Sequence, residues 1–354
     1  MQISLGPRGP FPSVALHDAL DRRWLHYAFR SPDGRLSVIA NLSVLGSTDP
    51  LTKQPQEMSI LLVHDEFGWE SSQFNAAVEG EPWSAFRHPA SGTRLRIDGR
   101  RGSPSVDLRV VRTGHPCTSQ CAPFGDGEHL RWQSEPGVLA TGTVVVGGRR
   151  HEGVDLVGYH ERVRGHWSWP ALGGWVFGFA NAATSQSGKT GKTGKIGETR
   201  DGTSDTTGPE YAVVFTLIQP LAPADAATGS VMLWRRGRLL RHFPRRTLRV
   251  EVAGHLSRDE VSVCPPLAAT LGTAPTAVVP GRLVITARTA DDSLVLDVTS
   301  ATAGRIVNPN ELGRTGFSVH EVLGPCTVRG TVAGRAVDFT APAVVEFAGG
   351  ADVD

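Results

Sequence analysis

Almost every apolar run in the chain is short, rich in Val, Leu and Ile, and ended by Gly, Pro, Asp or Ser. Such runs fit strands: branched side chains suit a pleated surface, and turn residues stop the pairing. Runs of this kind occupy 35–46, 58–67, 93–99, 105–114 and 210–221. The stretch 282–301 reads as two strands turning at Asp291-Asp292, and 326–350 as hairpins turning at Gly330 and Gly334. Strands recurring at roughly ten-residue spacing predict antiparallel sheets closed into barrels or sandwiches. One segment departs from this pattern. In 13–30 the apolar residues recur at helical spacing behind a potential Ser13 cap, which predicts a helix.

The 26 residues 185–210 hold almost no apolar side chain, so they cannot contribute to a core. This predicts a first domain over 1–184, a flexible Gly/Lys/Thr-rich linker over 185–209 and a second domain over 210–354. The GKTGKT run in the linker lacks the strand before and the helix after that a phosphate-binding loop needs.

Several function classes are disfavoured. The net charge is +1, so no global field attracts nucleic acid or an anionic membrane. No apolar run is long enough for a membrane-spanning helix, and the first residues lack a secretory core, so a cytoplasmic location is expected. Cys117 and Cys121 have no second pair with which to build a metal site. No G-x-S-x-G elbow and no G-x-G-x-x-G turn occurs in the context that hydrolases or dinucleotide enzymes require. Neither metal nor organic cofactor is expected. The arginine-rich stretch 233–250 alternates with Leu, Trp and Phe, as a solvated strand face does. It is also where an acidic acyl carrier protein would dock if the substrate arrives tethered.

The densest chemistry lies in 153–182, which holds three of the eight tryptophans. Tyr159, His160, Glu161 and His166 can move protons or donate hydrogen bonds. Arg164, Trp167, Trp169, Trp175 and Phe177 can grip a flat apolar guest or steady a developing cation. Strand alternation limits this: Tyr159 and Glu161 share one face, His160 and Arg162 the other. Trp69, near the end of a strand, is a candidate for a barrel mouth.

Gly158, Tyr159, Glu161, Gly165, Trp175 and Gly178 resemble the signature region of the carotenoid 1,2-hydratase and AttH-like superfamily. The C-terminal Glu321, Gly330, Gly334 and Glu346 resemble that family's ending. Arg162 replaces the histidine that follows the acidic residue in the family, with His160 standing before it instead. Val163-Arg164 replaces an asparagine-tryptophan pair. The resemblance implies two tandem lipocalin-like β-barrels, all-β with few short helices, around an apolar ligand cavity. It also implies reactions ranging from hydration of a polyene end to intramolecular Diels–Alder closure.

The expected function is therefore ring closure of an apolar polyene, terpenoid or polyketide. Glu161 or Glu321 is the natural acid, because burial in an apolar pocket raises a carboxyl pKa. A hydro-lyase and a non-catalytic carrier are the alternatives.

Overall fold

The computed structural model describes residues 20–46, 56–77, 93–99, 102–115, 120–124, 127–167, 172–182, 208–220, 227–264, 278–306 and 318–349. Within them the chain forms two curled sheets. The first holds β1 (Asp21–Arg30), β2 (Ser37–Leu45), β3 (Gln56–Asp65), β4 (Gly68–Ala77), β5 (Thr93–Ile97), β6 (Ser105–Val111), β7 (Gln120–Pro123), β8 (His129–Val146) and β9 (Arg149–His166). Their order is β4-β3-β2-β1-β9-β8-β6-β5, with β7 paired to β8.

The second sheet holds β10 (Leu172–Ala182), β11 (Tyr211–Pro220), β12 (Thr228–Arg235), β13 (Arg238–Pro244), β14 (Leu248–His255), β15 (Val261–Cys264), β16 (Pro280–Arg288), β17 (Ser293–Thr299), β18 (Thr302–Ile306), β19 (Ser318–Val332) and β20 (Arg335–Gly349). Its main path runs β13-β12-β11-β10-β20-β19-β17-β16-β14. Pairing is antiparallel throughout except between β15 and β18. The all-β, tandem architecture expected from the strand pattern is present.

Three corrections follow. Asp21–Arg30 is a strand, not part of a helix. Leu25, Tyr27 and Phe29 fill the inside of the first sheet, while Trp24 and Ala28 face the second. Both faces are apolar, which blurs the period of two, and pairing with both β2 and β9 overrides local helix preference. The remainder of that predicted helix, 13–19, lies outside the described residues, as does most of the 185–209 linker. Secondly, β10 precedes the linker but pairs with β11 and β20. The change of sheet thus falls between His166 and Leu172, ahead of position 184. Thirdly, Gly330 sits within β19 opposite Val337, so the described residues of 326–350, up to Gly349, belong to one long hairpin. Its turn is made by Ala333 and Gly334, both at positive φ.

Three apolar cores result. One fills each curled sheet. The third lies between the sheets and joins Tyr159, Val163 and Trp167 to Phe177, Phe179 and Val344. Strands β1, β9, β10 and β20 bury both faces there, so backbones must approach closely. A Cβ on Gly158 would stand 2.0 Å from the Ala28 carbonyl oxygen. Gly158→Ala is expected to force β1 from β9 at a cost of about 1–3 kcal/mol, read as a lower urea midpoint.

Candidate active site between the two sheets

The third core contains space. A cavity of about 80 Å³, partly open to solvent, is walled by Trp24, Trp167, Trp175, Ile39 and Met58. Glu161, Glu321, Glu346, His26, Asn41 and Ser43 supply its polar groups. A neighbouring cavity of about 40 Å³ shares Trp24, Glu161, Trp167, Trp175 and Glu346 and adds Phe177. Both spaces are narrow and lined mainly by apolar side chains with a few convergent polar groups, the character of a small-molecule site.

Strand register explains the convergence. His26 on β1 lies opposite Glu161 on β9. Glu321 on β19 lies opposite Glu346 on β20. The two pairs meet because the sheets stack on these faces, with the His26 and Phe177 rings 5.9 Å apart.

Burial controls the charges. It drives the Glu161 carboxyl up to about 8; the Tyr159 hydroxyl pulls it down and the Glu346 charge pushes it further up. Glu161 therefore carries its proton at neutral pH. Tyr159 Oη stands 2.9 Å from Ser134 Oγ and 2.8 Å from Glu161 Oε2. Its single proton serves one acceptor at a time. With Glu161 protonated, the consistent order runs from Glu161 to Tyr159 to Ser134. Burial also raises Glu321 well above the carboxylate range, and Glu346 reinforces it through charge and a hydrogen bond. Burial lowers His26, opposed by Glu346, so the imidazole is neutral. The Trp175 indole N–H donates to Glu346.

One imidazole and two carboxylates, from His26, Glu321 and Glu346, bring ligand atoms within 4.8 Å of one another. That donor set matches a divalent cation, which sequence reading did not anticipate. The hydrogen bond between the two carboxyls places a proton where a cation would compete.

The structure sorts the sequence candidates. Glu161, Glu321, Trp167 and Trp175 line the main cavity, and Phe177 the adjoining one. Tyr159 is fully buried behind Glu161 and holds it. His160 points the other way, stacked on Tyr27 at 4.0 Å and bonded through Nδ1 to the His26 carbonyl. It is a core residue of the first sheet, not a proton donor to the cavity. Arg164 shares that opposite parity, and His166 ends β9 bonded to Asp21 at 2.9 Å; neither lines either cavity. Trp69 lines neither. Its indole packs on Gly304 and donates to Thr302 at 3.0 Å, joining the sheets. Trp169 lies outside the described residues. Trp24, His26, Asn41, Ser43 and Glu346 are among the lining groups not assigned to the site from sequence. Placing Asp21–Arg30 on a strand brings Trp24 and His26 onto one face, the signal that finds them.

Two curled antiparallel sheets in tandem, stacked around an apolar chamber, define a lipocalin-like double fold of the AttH type. No protein-family model and no curated protein matches the chain. Among solved structures, it is similar to a putative AttH protein from Nitrosomonas europaea, with TM-score 0.59 and 13% identity over 94% of this chain and 93% of that one. It is similar to kievitone hydratase from Nectria haematococca, with TM-score 0.54 and 11% identity over 92% and 88% of the two chains. It also resembles CghA, with TM-score 0.53 and 9% identity over 95% and 90%. At these identities the likeness is one of fold.

Proposed function

We propose that the inter-sheet cavity catalyses proton-initiated ring closure of an apolar polyene, terpenoid or polyketide. The observation that carries this reading is the Glu161 carboxyl facing a chamber walled by Trp24, Trp167 and Trp175, where burial raises its pKa to about 8. A neutral acid in an apolar site can protonate a double bond, and indole faces steady the cation that forms. The walls fold a flexible chain so that its reacting carbons meet, and they exclude bulk water.

Hydration is the second reading, and His26 favours it. Its Nε2 is buried without a hydrogen-bond partner and the ring is neutral. That nitrogen can hold and deprotonate a water which adds to the cation. Kievitone hydratase, a hydratase by name, shares the fold.

Native mass spectrometry after incubation with cell extract identifies the retained molecule. Turnover then separates the readings: ring closure gives an isomer, hydration a product heavier by one water, and a carrier returns its ligand unchanged. Trp175→Ala is expected to lower product formation at least about tenfold without changing the folded fraction, because it removes a cavity wall. Normal turnover by that variant would overturn the assignment of the site.

A further inference from the structure

Buried polar atoms in a folded protein find partners, and one that does not needs a physical reason. Two such atoms belong to side chains that meet in the chamber. His26 is 2% exposed and Glu321 1%, and neither His26 Nε2 nor Glu321 Oε2 has a hydrogen-bond partner among the described residues. The neutral polar pair of the chamber does not serve them, because Ser43 donates to Asn41 at 2.8 Å. Three carboxyl groups line this cavity, and among the described residues no lysine or arginine does. Buried acidic groups are otherwise paired with a cation or coordinate one.

The donors come from both sheets. His26 stands on β1 of the first, and Glu321 and Glu346 are cross-strand partners on β19 and β20 of the second. Among the described residues these three form the one group of such side chains whose ligand atoms converge, all within 4.8 Å of one another. Donors on a common divalent ion stand roughly 3–4.3 Å apart, given bonds of about 2.1 Å. Side-chain adjustment of about an ångström therefore completes the site, and Glu346, the least buried of the three, has the most room to make it. Its Oε1 accepts from the Trp175 indole, which leaves Oε2 for an ion. Outer hydrogen bonds of this kind orient a ligating carboxylate.

We propose that His26, Glu321 and Glu346 bind one divalent transition-metal ion, which clamps the two sheets together and turns an open coordination position toward the chamber. One imidazole nitrogen favours Zn²⁺, Mn²⁺ or Co²⁺ over Mg²⁺ and Ca²⁺. Three protein donors leave room for an outside one. That position takes water or an oxygen of the guest, and the ion polarises it. The guest class thereby narrows to molecules that carry a carbonyl or hydroxyl group. The ion site stands on its donors alone, whereas the oxygen-bearing guest rests on the cavity reading given above. Glu161 is not a donor. Where the ion is bound, the water that the hydration reading gives to His26 sits on the ion.

The full chain is freed of metal with EDTA, dialysed and titrated with Mn²⁺ alone. Electron paramagnetic resonance is expected to show one bound Mn²⁺ per chain, which about a tenfold excess of Mg²⁺ does not displace. Saturating Mn²⁺ or Zn²⁺ is expected to raise the melting temperature by a few degrees and Mg²⁺ to leave it, because only the folded chain brings these donors together. His26→Gln and Glu321→Gln are each expected to weaken Mn²⁺ binding at least about tenfold, and His166→Gln to leave it within about twofold. No uptake by wild type, or equal affinity in His26→Gln and Glu321→Gln, overturns the site. Should those variants not fold, pulsed resonance of Mn²⁺ in wild type decides. Coupling to an imidazole nitrogen is expected, and its absence overturns the site. The guest is tested on the Co²⁺-loaded chain, where 2-octanone is expected to shift the visible absorption bands and octane to leave them. Unshifted bands while calorimetry shows 2-octanone bound overturn the open position, and the ion site stands. Binding of neither probe overturns the cavity reading and the guest class with it, while the Mn²⁺ titration still decides the ion site.

Discussion

Glu161→Gln is expected to lower turnover at least about tenfold, and general acids commonly contribute about 10²–10⁴. The change keeps size and hydrogen-bonding reach, so the folded fraction should hold. It removes the transferable proton alone. The same variant has a second signature, in stability against pH. The folded carboxyl sits at about 8 and the ordinary one at 4.5. Below about pH 4.5 both states hold the proton and the group is silent. As pH rises from there to about 8 the unfolded chain releases it and the folded chain does not, so the native state loses ground. The ceiling is about 5 kcal/mol, since each unit is worth about 1.4 kcal/mol. Wild type is therefore expected to melt progressively lower across this window, and Glu161→Gln to show a flatter profile. Turnover should fall above about pH 8 as the acid ionises. Parallel melting profiles for the two proteins would refute the burial of a protonated Glu161.

Arg30→Met is expected to cost about 3–5 kcal/mol of stability. Arg30 ends β1, yet its guanidinium serves both sheets. It donates to the Gly34 carbonyl beside its own strand at 2.5 Å. It also donates to Ala343 at 3.0 Å and Gly324 at 3.3 Å in the second sheet. Methionine would fill the stem and take a charged donor away from three carbonyls, two of them in buried contacts. Each lost bond to a charged donor is worth about 1.5–3 kcal/mol, partly recovered by water entering the adjacent cavity of about 240 Å³. Burial pulls the Arg30 pKa down to about 10, so the staple stays charged at neutral pH. A urea titration with a midpoint shift of less than a tenth of the wild-type value would reject this role.

Much of this protein could be read before folding. Branched runs fenced by turn residues specified the strands, and alternation put Glu161 and Tyr159 on a common face. Parity alone could not say which face met the cavity, and so His160, Arg164 and His166 entered the candidate set. What decides is the stacking of a second sheet against β1 and β9, a contact between segments far apart in sequence. Trp24 and His26 escaped because β1 buries both faces and its apolar residues mimic a helical period. Glu346 stood out in the C-terminal pattern, but its role depends on register with Glu321 and Phe177, which single-strand patterns do not encode.

The sharing of walls between β1–β9 and β10–β20 sets an order of assembly. The first sheet can close once the ribosome has released residue 166; the second must wait for 349 to return beside 174. Closing such long loops is slow, and a nascent chain carries half a chamber with exposed indoles until its final hairpin arrives. A nascent chain halted before residue 346 would then carry Glu161 and lack Glu346.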